Sequence, residues 1–416
     1  MASRVEASTD ETQRLDDPAF YAEDPHPVFE RLRRETPVLW HRSTGFWAVS
    51  RYRDIQHVFR HPEVFSSERG VFITDRKFGR ANPFEFAAAA SVLPAGGANI
   101  LETDPPWHTE YRKAVLGSRA FSRGYAVALE DPIRRIVATV FDRVAPGAVV
   151  NADDLALDIA TRVAAEFLGL PEEDVPTLRN WTSTFVEATD STDPAMLERG
   201  AEVSVAMWRY LESAISTAPA PAPPGALFAL AEASRRAAAI DPDSLLKFAC
   251  DLLIAGTVNN RSSMDGAVVA LCGFPGERAR LLADPALLPT ATEEVVRWVT
   301  PAPHICRTAL TDTQIGGTPV AEGDYVVLLL ASGNRDGEAW ERPDVFDVAR
   351  PPEPSNLSFG HGIHLCLGAP LARLEIRVFL EELLRRAPAF ELAGDVVRQP
   401  STMVNSFREV PVRFVR

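Results

Sequence analysis

The stretch Phe359-Gly360-His361-Gly362-Ile363-His364-Leu365-Cys366-Leu367-Gly368 decides how the rest of the chain is read. Gly360 and Gly362 permit a tight turn with backbone angles that a residue carrying Cβ resists. Gly368 lets the backbone pass close to something flat and bulky just after the cysteine. The run from Ala369 to Leu384 has helical periodicity, with Pro370 in the first turn, where proline is tolerated. Cys366 therefore precedes a helix N-terminus, where backbone N–H groups and the helix dipole favour a thiolate over a thiol. A thiolate in an apolar, glycine-shaped loop suits an axial iron ligand. Two other readings use the same residues. One is a buried structural cysteine. The other is a zinc site of His361, His364 and Cys366, for which no second Cys/His cluster supplies a fourth ligand.

The segment resembles the haem-binding loop of the cytochrome P450 family, Phe-Gly-x-Gly-x-His-x-Cys-x-Gly, and every fixed position of that pattern is present. The resemblance implies haem b (iron protoporphyrin IX) as cofactor and Cys366 as its metal ligand. Phe359, Gly360, His364 and Gly368 would shape the loop against the cofactor.

The bulk composition is compatible with this. The chain has 416 residues, 46% hydrophobic and 24% charged, enough for a large core. A net charge of −14 argues against a general nucleic-acid binder. Cys250, Cys272, Cys306 and Cys366 have no framework spacing, which suits a reducing cytoplasm. The polar, acidic start has no apolar signal core, and no stretch reaches about 18 uninterrupted apolar residues. The expectation is a soluble cytoplasmic protein with no membrane contact, like the bacterial branch of the family.

Along the chain, residues 1–16 read as a disordered lead. A short helix is expected from Asp17 to Glu35, then two strands, Pro37–His41 and Gly45–Ser50, and a helix near Tyr52–His61. Residues 67–103 mix Gly, Pro and aromatics, and long irregular stretches tend to be functional. In the family this region lines the substrate pocket, which nominates Phe72, Ile73 and Phe84. Arg76, Lys77 and Arg80 read as a solvated basic face, or as a recognition site for a substrate carboxylate. In Asp104-Pro-Pro-Trp-His-Thr-Glu-Tyr-Arg, His108 and Arg112 share one helix face at i,i+4. By resemblance, these two and Arg307 donate to the haem propionates, for which an arginine fork is suited.

Residues 176–216 read as two helices joined by Asp190–Pro194, the family's lid region, with Phe185 and Met207 as core or channel residues. Asp243–Leu271 reads as one long helix carrying Ala255-Gly256-Thr257-Val258-Asn259. It resembles the oxygen-binding helix, whose usual pattern is Ala-Gly-x-acid-alcohol. Ala255 and Gly256 match, leaving room at the haem face. The acid is replaced by Val258 and the alcohol by Asn259. Thr257 cannot substitute, because a two-residue offset turns a side chain about 200° around the helix. Val258 cannot relay a proton, whereas Asn259 can hold water but cannot act as an acid.

Glu294 and Arg297, at i,i+3, resemble the family's structural ion pair, to be completed by Arg350. His304 and Ile305, before Arg307, and Met403 and Val404, in a tail read as a hairpin over 402–413, complete the pocket candidates.

The resemblance spans the chain from about residue 17 to 416. It implies a single mainly helical domain with small β-sheets. The expected function is a monooxygenase inserting one oxygen atom from O2 into an apolar small molecule. Electrons would come from a ferredoxin or flavodoxin with its reductase, since no flavin or nicotinamide module is seen. Lys113, Arg119, Arg373 and Arg377 are candidates for a docking patch. Two rival functions stand beside this. One is a same-fold enzyme with atypical chemistry (coupling, peroxide use or rearrangement), motivated by Val258 and Asn259. The other is a non-catalytic haem-binding protein.

Overall fold

Amphipathic periodicity and capping set the helices, which dominate the architecture. Helix His26–Glu35 buries Val28, Phe29 and Leu32, an i,i+1,i+4 stripe, and Tyr52–Arg60 buries Ile55, Val58 and Phe59, an i,i+3,i+4 stripe. Asn151 caps Ala152–Leu168 by accepting from Asp153 N, and Gly169 ends that helix in the left-handed region at φ 82°. This computed structural model describes residues 10–79, 98–145, 147–219, 224–236 and 240–415. Arg80, Phe84 and the alanine run at 87–90 lie outside the described residues.

The contacts divide the chain into two compact units. The first is assembled from residues 1–81, 266–366 and 396–409, the second from 82–265, 367–395 and 410–416. Because each draws on three separated stretches, neither is a continuous segment of sequence. The long helix Pro242–Gly273 belongs to the second unit through Asp265 and to the first from Gly266.

The first unit holds a five-stranded sheet in the order Val38–His41, Phe46–Val49, Tyr325–Leu328, Ile305–Ala309 and Phe65–Ser66. Phe46–Val49 and Tyr325–Leu328 run parallel, in register Phe46 to Tyr325, and the other pairs are antiparallel. Both faces are covered: Val49, Val326 and Leu328 pack with Ile55 and Trp340, while Phe46, Ala48 and Val327 pack with Phe29 and Leu32. Fully buried Tyr325–Leu328 accordingly reads as a continuous apolar run rather than an alternating one. The second unit is mostly helical, with a three-stranded sheet of Val149–Asn151, Pro411–Val415 and Ala389–Leu392.

Several boundaries differ from the sequence reading. The lead expected to be disordered over 1–16 is built from Asp10: Asp10–Arg14 is a 3-10 helix and Leu15 is fully buried beside Phe20 and Phe29. The single helix expected over 17–35 is two, Pro18–Ala22 and His26–Glu35, because Pro25 cannot continue an α-helix hydrogen-bond ladder. The expected terminal hairpin does not form. Phe407–Glu409 pairs with Val397–Arg398, whereas Pro411–Val415 pairs with Ala389–Leu392 and Val149–Asn151. Only Val410 separates the two tail strands, and a tight hairpin needs two turn residues.

Candidate functional site

In the first unit the Cys366 loop is closed by the Cys366 N–H, which donates to Phe359 O at 2.8 Å. Gly360 and Gly362 both take φ 69°, the left-handed region where a Cβ is strained. At Gly362 space is also missing, since a Cβ there would lie 2.6 Å from the Phe59 carbonyl oxygen. The loop therefore presses against the C-terminal end of helix Tyr52–Arg60. The motif histidines face the protein. His364 Nε2 is hydrogen-bonded to Ser67 Oγ at 3.1 Å, and Arg60 Nε donates to His361 Nε2 at 3.4 Å.

Cys366 itself is exposed, beside exposed Leu365. Cys250 and Cys306 are buried, and burial pushes both thiols well up. The buried structural reading therefore suits those two and not Cys366. No group of three or more His, Cys, Asp or Glu with metal-ligand placement occurs among the described residues, so the zinc reading loses its ligand set. A single accessible thiol on a glycine-shaped loop is the donor set of an axial haem ligand, and the residues present fit that group.

Arg307 lies on the sheet strand Ile305–Ala309. It is buried, its Nη1 donates to Cys306 O at 2.6 Å, and its guanidinium stands 5.6 Å from the Phe59 ring centroid. Phe59 thus meets both the loop, through its carbonyl, and Arg307, through its ring. His304, immediately before that strand, is buried against Tyr21, and burial pushes its imidazole down to about 3. Neither ring nitrogen has a hydrogen-bond partner among the described residues.

In the second unit, helix Trp107–Leu116 carries buried His108 and half-buried Arg112 on one face. Tyr111 fixes that helix by donating its hydroxyl to Ser244 O at 3.0 Å. Within Pro242–Gly273, Ala255 is exposed and Asp251, Leu252, Gly256 and Asn259 are half-buried, whereas Leu253, Ile254, Thr257, Val258 and Asn260 are buried. The accessible positions recur at i, i+1, i+4, i+5 and i+8, one stripe along the helix. Asn259 lies on it and Val258 lies off it. The aligned replacement for the acid therefore packs into the protein rather than facing open space.

Glu294, Arg297 and Arg350 form one buried network in the first unit. Glu294 Oε2 accepts from Arg297 Nε at 2.7 Å and from Arg350 Nε at 2.9 Å. Remaining guanidinium N–H groups donate to the carbonyls of Asn334, Pro343, Glu341 and Arg342. The carboxylate and both guanidinium groups are thereby satisfied.

Several pocket candidates are core residues instead. Ile73, Phe185 and Val404 are buried, Ile73 in the cluster around Phe29. Ile305 is half-buried against the sheet core, and Phe72 and Met403 are half-buried. Phe72 contributes its carbonyl, which accepts from the Tyr325 hydroxyl at 2.8 Å. Arg76 and Lys77 donate to the carbonyls of Thr44 and Asp16. Of the basic candidates, Lys113, Arg119 and Arg373 are exposed, while Arg377 is held by Glu381 at 2.9 Å and Glu130 at 3.2 Å.

The sequence reading passed over Ser67, Phe59 and a buried acid, Glu375. Ser67 and Phe59 had no local signal, since their roles come from distant loop contacts. Glu375 did have one: it sits at i+4 from Leu371 and i−4 from Phe379, an acid placed on the apolar stripe of helix Ala369–Arg386.

Comparison with known proteins decides the family. A model of the family described as Cytochrome P450 matches residues 280–406. Linalool 8-monooxygenase of Pseudomonas putida is 34% identical over 413 residues, covering 96% of this chain and 98% of that protein. The chain belongs to the cytochrome P450 family. Erythromycin C-12 hydroxylase of Saccharopolyspora erythraea is 34% identical, covering 85% of each chain. Among solved structures, cytochrome P450 CREJ in complex with (4-ethylphenyl) dihydrogen phosphate superposes with a TM-score of 0.85 at 29% identity, covering 94% of this chain and 97% of that one. This P450 is accordingly a haem-dependent monooxygenase, an oxidoreductase of mainly helical fold with small sheets. No helix among the described residues is long and apolar enough to cross a membrane.

Proposed function

We propose that this P450 inserts one oxygen atom from O2 into an apolar small molecule in the cytoplasm, with Cys366 as the iron ligand. The overall balance is RH + O2 + 2e⁻ + 2H⁺ → ROH + H2O. The observation that carries the reading is the exposed Cys366 thiol on a loop whose glycines hold positive φ. Haem bound there would supply the redox chemistry that activates oxygen. Arg307, His108 and Arg112 are the cations assigned to its two propionates. Ala255 and Gly256, small and accessible, leave space above the helix backbone. Asn259, on the same stripe, would hold water by hydrogen bonding but has no acidic proton to give.

Phe72, Ile305 and Met403, each half-buried, remain the pocket side chains, and their apolar character sets the substrate class. The relatives that act on linalool and on an erythromycin supply two probes of different size. Exposed Lys113, Arg119 and Arg373 on a protein of net charge −14 support docking of an acidic ferredoxin or flavodoxin. Arg377 is withdrawn from that patch by its carboxylates.

The test is titration of the ferric protein with linalool and with erythromycin, followed by product analysis with a ferredoxin and its reductase. A low-to-high spin shift and one hydroxylated product per two electrons support the reading. A spin shift with product only from added peroxide favours the second reading, atypical chemistry, for which the burial of Val258 is the specific observation. A ligand that binds and is never turned over by either route favours the non-catalytic alternative.

A further inference from the structure

Helix Tyr52–Arg60 ends in two histidines at i,i+4, His57 and its C-cap His61, on one side of the last turn. Their ring centroids lie 4.4 Å apart, with the planes tilted by 43°. His61 Nδ1 is 2.7 Å from the His57 carbonyl oxygen. A carbonyl only accepts, so Nδ1 carries the proton and Nε2 of the neutral ring keeps its lone pair. Both rings are held before any ligand arrives. The His61 carbonyl accepts from the N–H groups of Val64 and Phe65 at 3.0 and 2.9 Å. The Phe65 ring stands edge-on to His57, with centroids 6.2 Å apart, and Phe65 is tied into the five-stranded sheet opposite Ala309. His57 is exposed and His61 half-buried, so a hydrated ion can reach the pair from solvent. Capping of the helix end explains the Nδ1 bond of His61. It does not explain why an exposed His57 ring lies against the second imidazole.

A metal ion takes imidazole nitrogen at about 2.1 Å, and two rings bound to one ion at roughly a right angle have centres about 4–5 Å apart. The observed separation meets that requirement. The bond from His61 Nδ1 to a backbone carbonyl is the outer contact that fixes tautomer and ring orientation in metal-binding histidines. Asp54, at i−3 from His57, adds a buried carboxylate whose Oδ2 has no partner among the described residues. Two cations oppose the site: Arg53, with Nε 3.8 Å from Asp54 Oδ1, and Arg60, engaged with His361. No third His, Cys, Asp or Glu completes a ligand set among the described residues, which leaves the remaining positions to water.

We propose that His57 and His61 form a surface site for a transition-metal dication of the Zn2+, Ni2+ or Cu2+ type, separate from the iron site proposed at Cys366. Neutral imidazole selects such ions over Mg2+ and Ca2+, which prefer oxygen ligands. Each ring donates one nitrogen lone pair, and no covalent bond breaks. The site lies on the helix end that seats the Cys366 loop, where the Phe59 carbonyl faces Gly362 and Arg60 meets His361. Occupancy ties the last turn of that helix together without touching the iron.

The experiment is calorimetric titration of the haem-loaded full chain, free of any histidine tag, with Zn2+ and, as a control, Mg2+. Bound haem keeps Cys366 from competing for the zinc. Wild type is compared with His57→Asn, His61→Asn and His361→Asn. Wild type should bind zinc saturably at one site per chain and should not bind magnesium there. His57→Asn and His61→Asn should each weaken zinc binding by at least about ten-fold, the low end of the loss when even an outer-shell partner is removed. His361→Asn should bind zinc as wild type does. His57 is exposed, so its variant should keep the wild-type thermal midpoint without metal. It therefore decides the matter even where His61→Asn, which removes a helix cap, folds poorly. Zinc affinity unchanged in His57→Asn, affinity lost in His361→Asn instead, or no saturable binding in wild type would overturn the proposal. The readout is metal binding and not turnover, so failure of the monooxygenase reading leaves it intact.

Discussion

Glu294 and Arg297, one helical turn apart, meet through two parallel hydrogen bonds, Nε to Oε2 at 2.7 Å and Nη2 to Oε1 at 2.8 Å, with both side chains at most 2% exposed. Arg350 adds a third contact to the same carboxylate. A charged cluster so buried is sensitive to losing one member, because the remaining charges cannot be hydrated. Glu294→Ala leaves two buried guanidinium groups facing each other. It should cost about 3–5 kcal/mol in chemical denaturation. A cost under about 1 kcal/mol, the range of surface ion pairs, would mean that water reaches the site.

Gly362 tests the loop geometry. Alanine there meets both a left-handed backbone and the Phe59 carbonyl 2.6 Å away. Gly362→Ala should destabilise the protein by about 2 kcal/mol or more and lower haem content per chain, because the loop must leave Phe59 to accommodate it. Gly360→Ala carries the same left-handed backbone but only an ordinary contact, 3.5 Å from His364 O, and should lose less. Equal haem content in both variants would contradict the packing argument.

His304 gives a pH signature. Its folded-state value is pushed down to about 3 from the usual 6.5, so the unfolded chain binds a proton that the native protein does not. Stability from this group is full above pH 6.5 and falls as pH drops toward 3, by about 1.4 kcal/mol per unit. His304→Leu should flatten the dependence of unfolding free energy on pH between those limits. Glu375 has the opposite sign, since its raised folded value makes stability fall as pH rises above the usual carboxylate range. The two slopes oppose near pH 5–6. The difference between wild type and each single variant is therefore the quantity to measure. Parallel curves for wild type and His304→Leu would show that His304 is hydrated.

Much of the fold was legible because local signals agreed with the tertiary outcome. The long apolar run around Ala255 gave the helix observed at Pro242–Gly273, and Glu294 at i,i+3 from Arg297 gave the ion pair, with Arg350 placed by its family segment. The tail failed because strand pairing is non-local, and nothing within Phe407–Val415 says that its halves join different sheets. Ile73 and Val404 are buried rather than open, and Phe185 takes the core role of the two it was given, for a related reason. An apolar side chain in a pocket wall and one in a core look alike in sequence, and burial decides between them. Glu375 was the readable signal left unused, a carboxylate where the helix period calls for an apolar residue.

The most direct test of the account is the optical difference spectrum of the dithionite-reduced, CO-bound protein, recorded for wild type and Cys366→Ser. The account predicts a thiolate-type Soret band in the wild type and its loss in the variant, with haem still detectable by a histidine- or water-ligated spectrum or released altogether. A histidine-type band in the wild type, or a thiolate-type band that survives in Cys366→Ser, would contradict it.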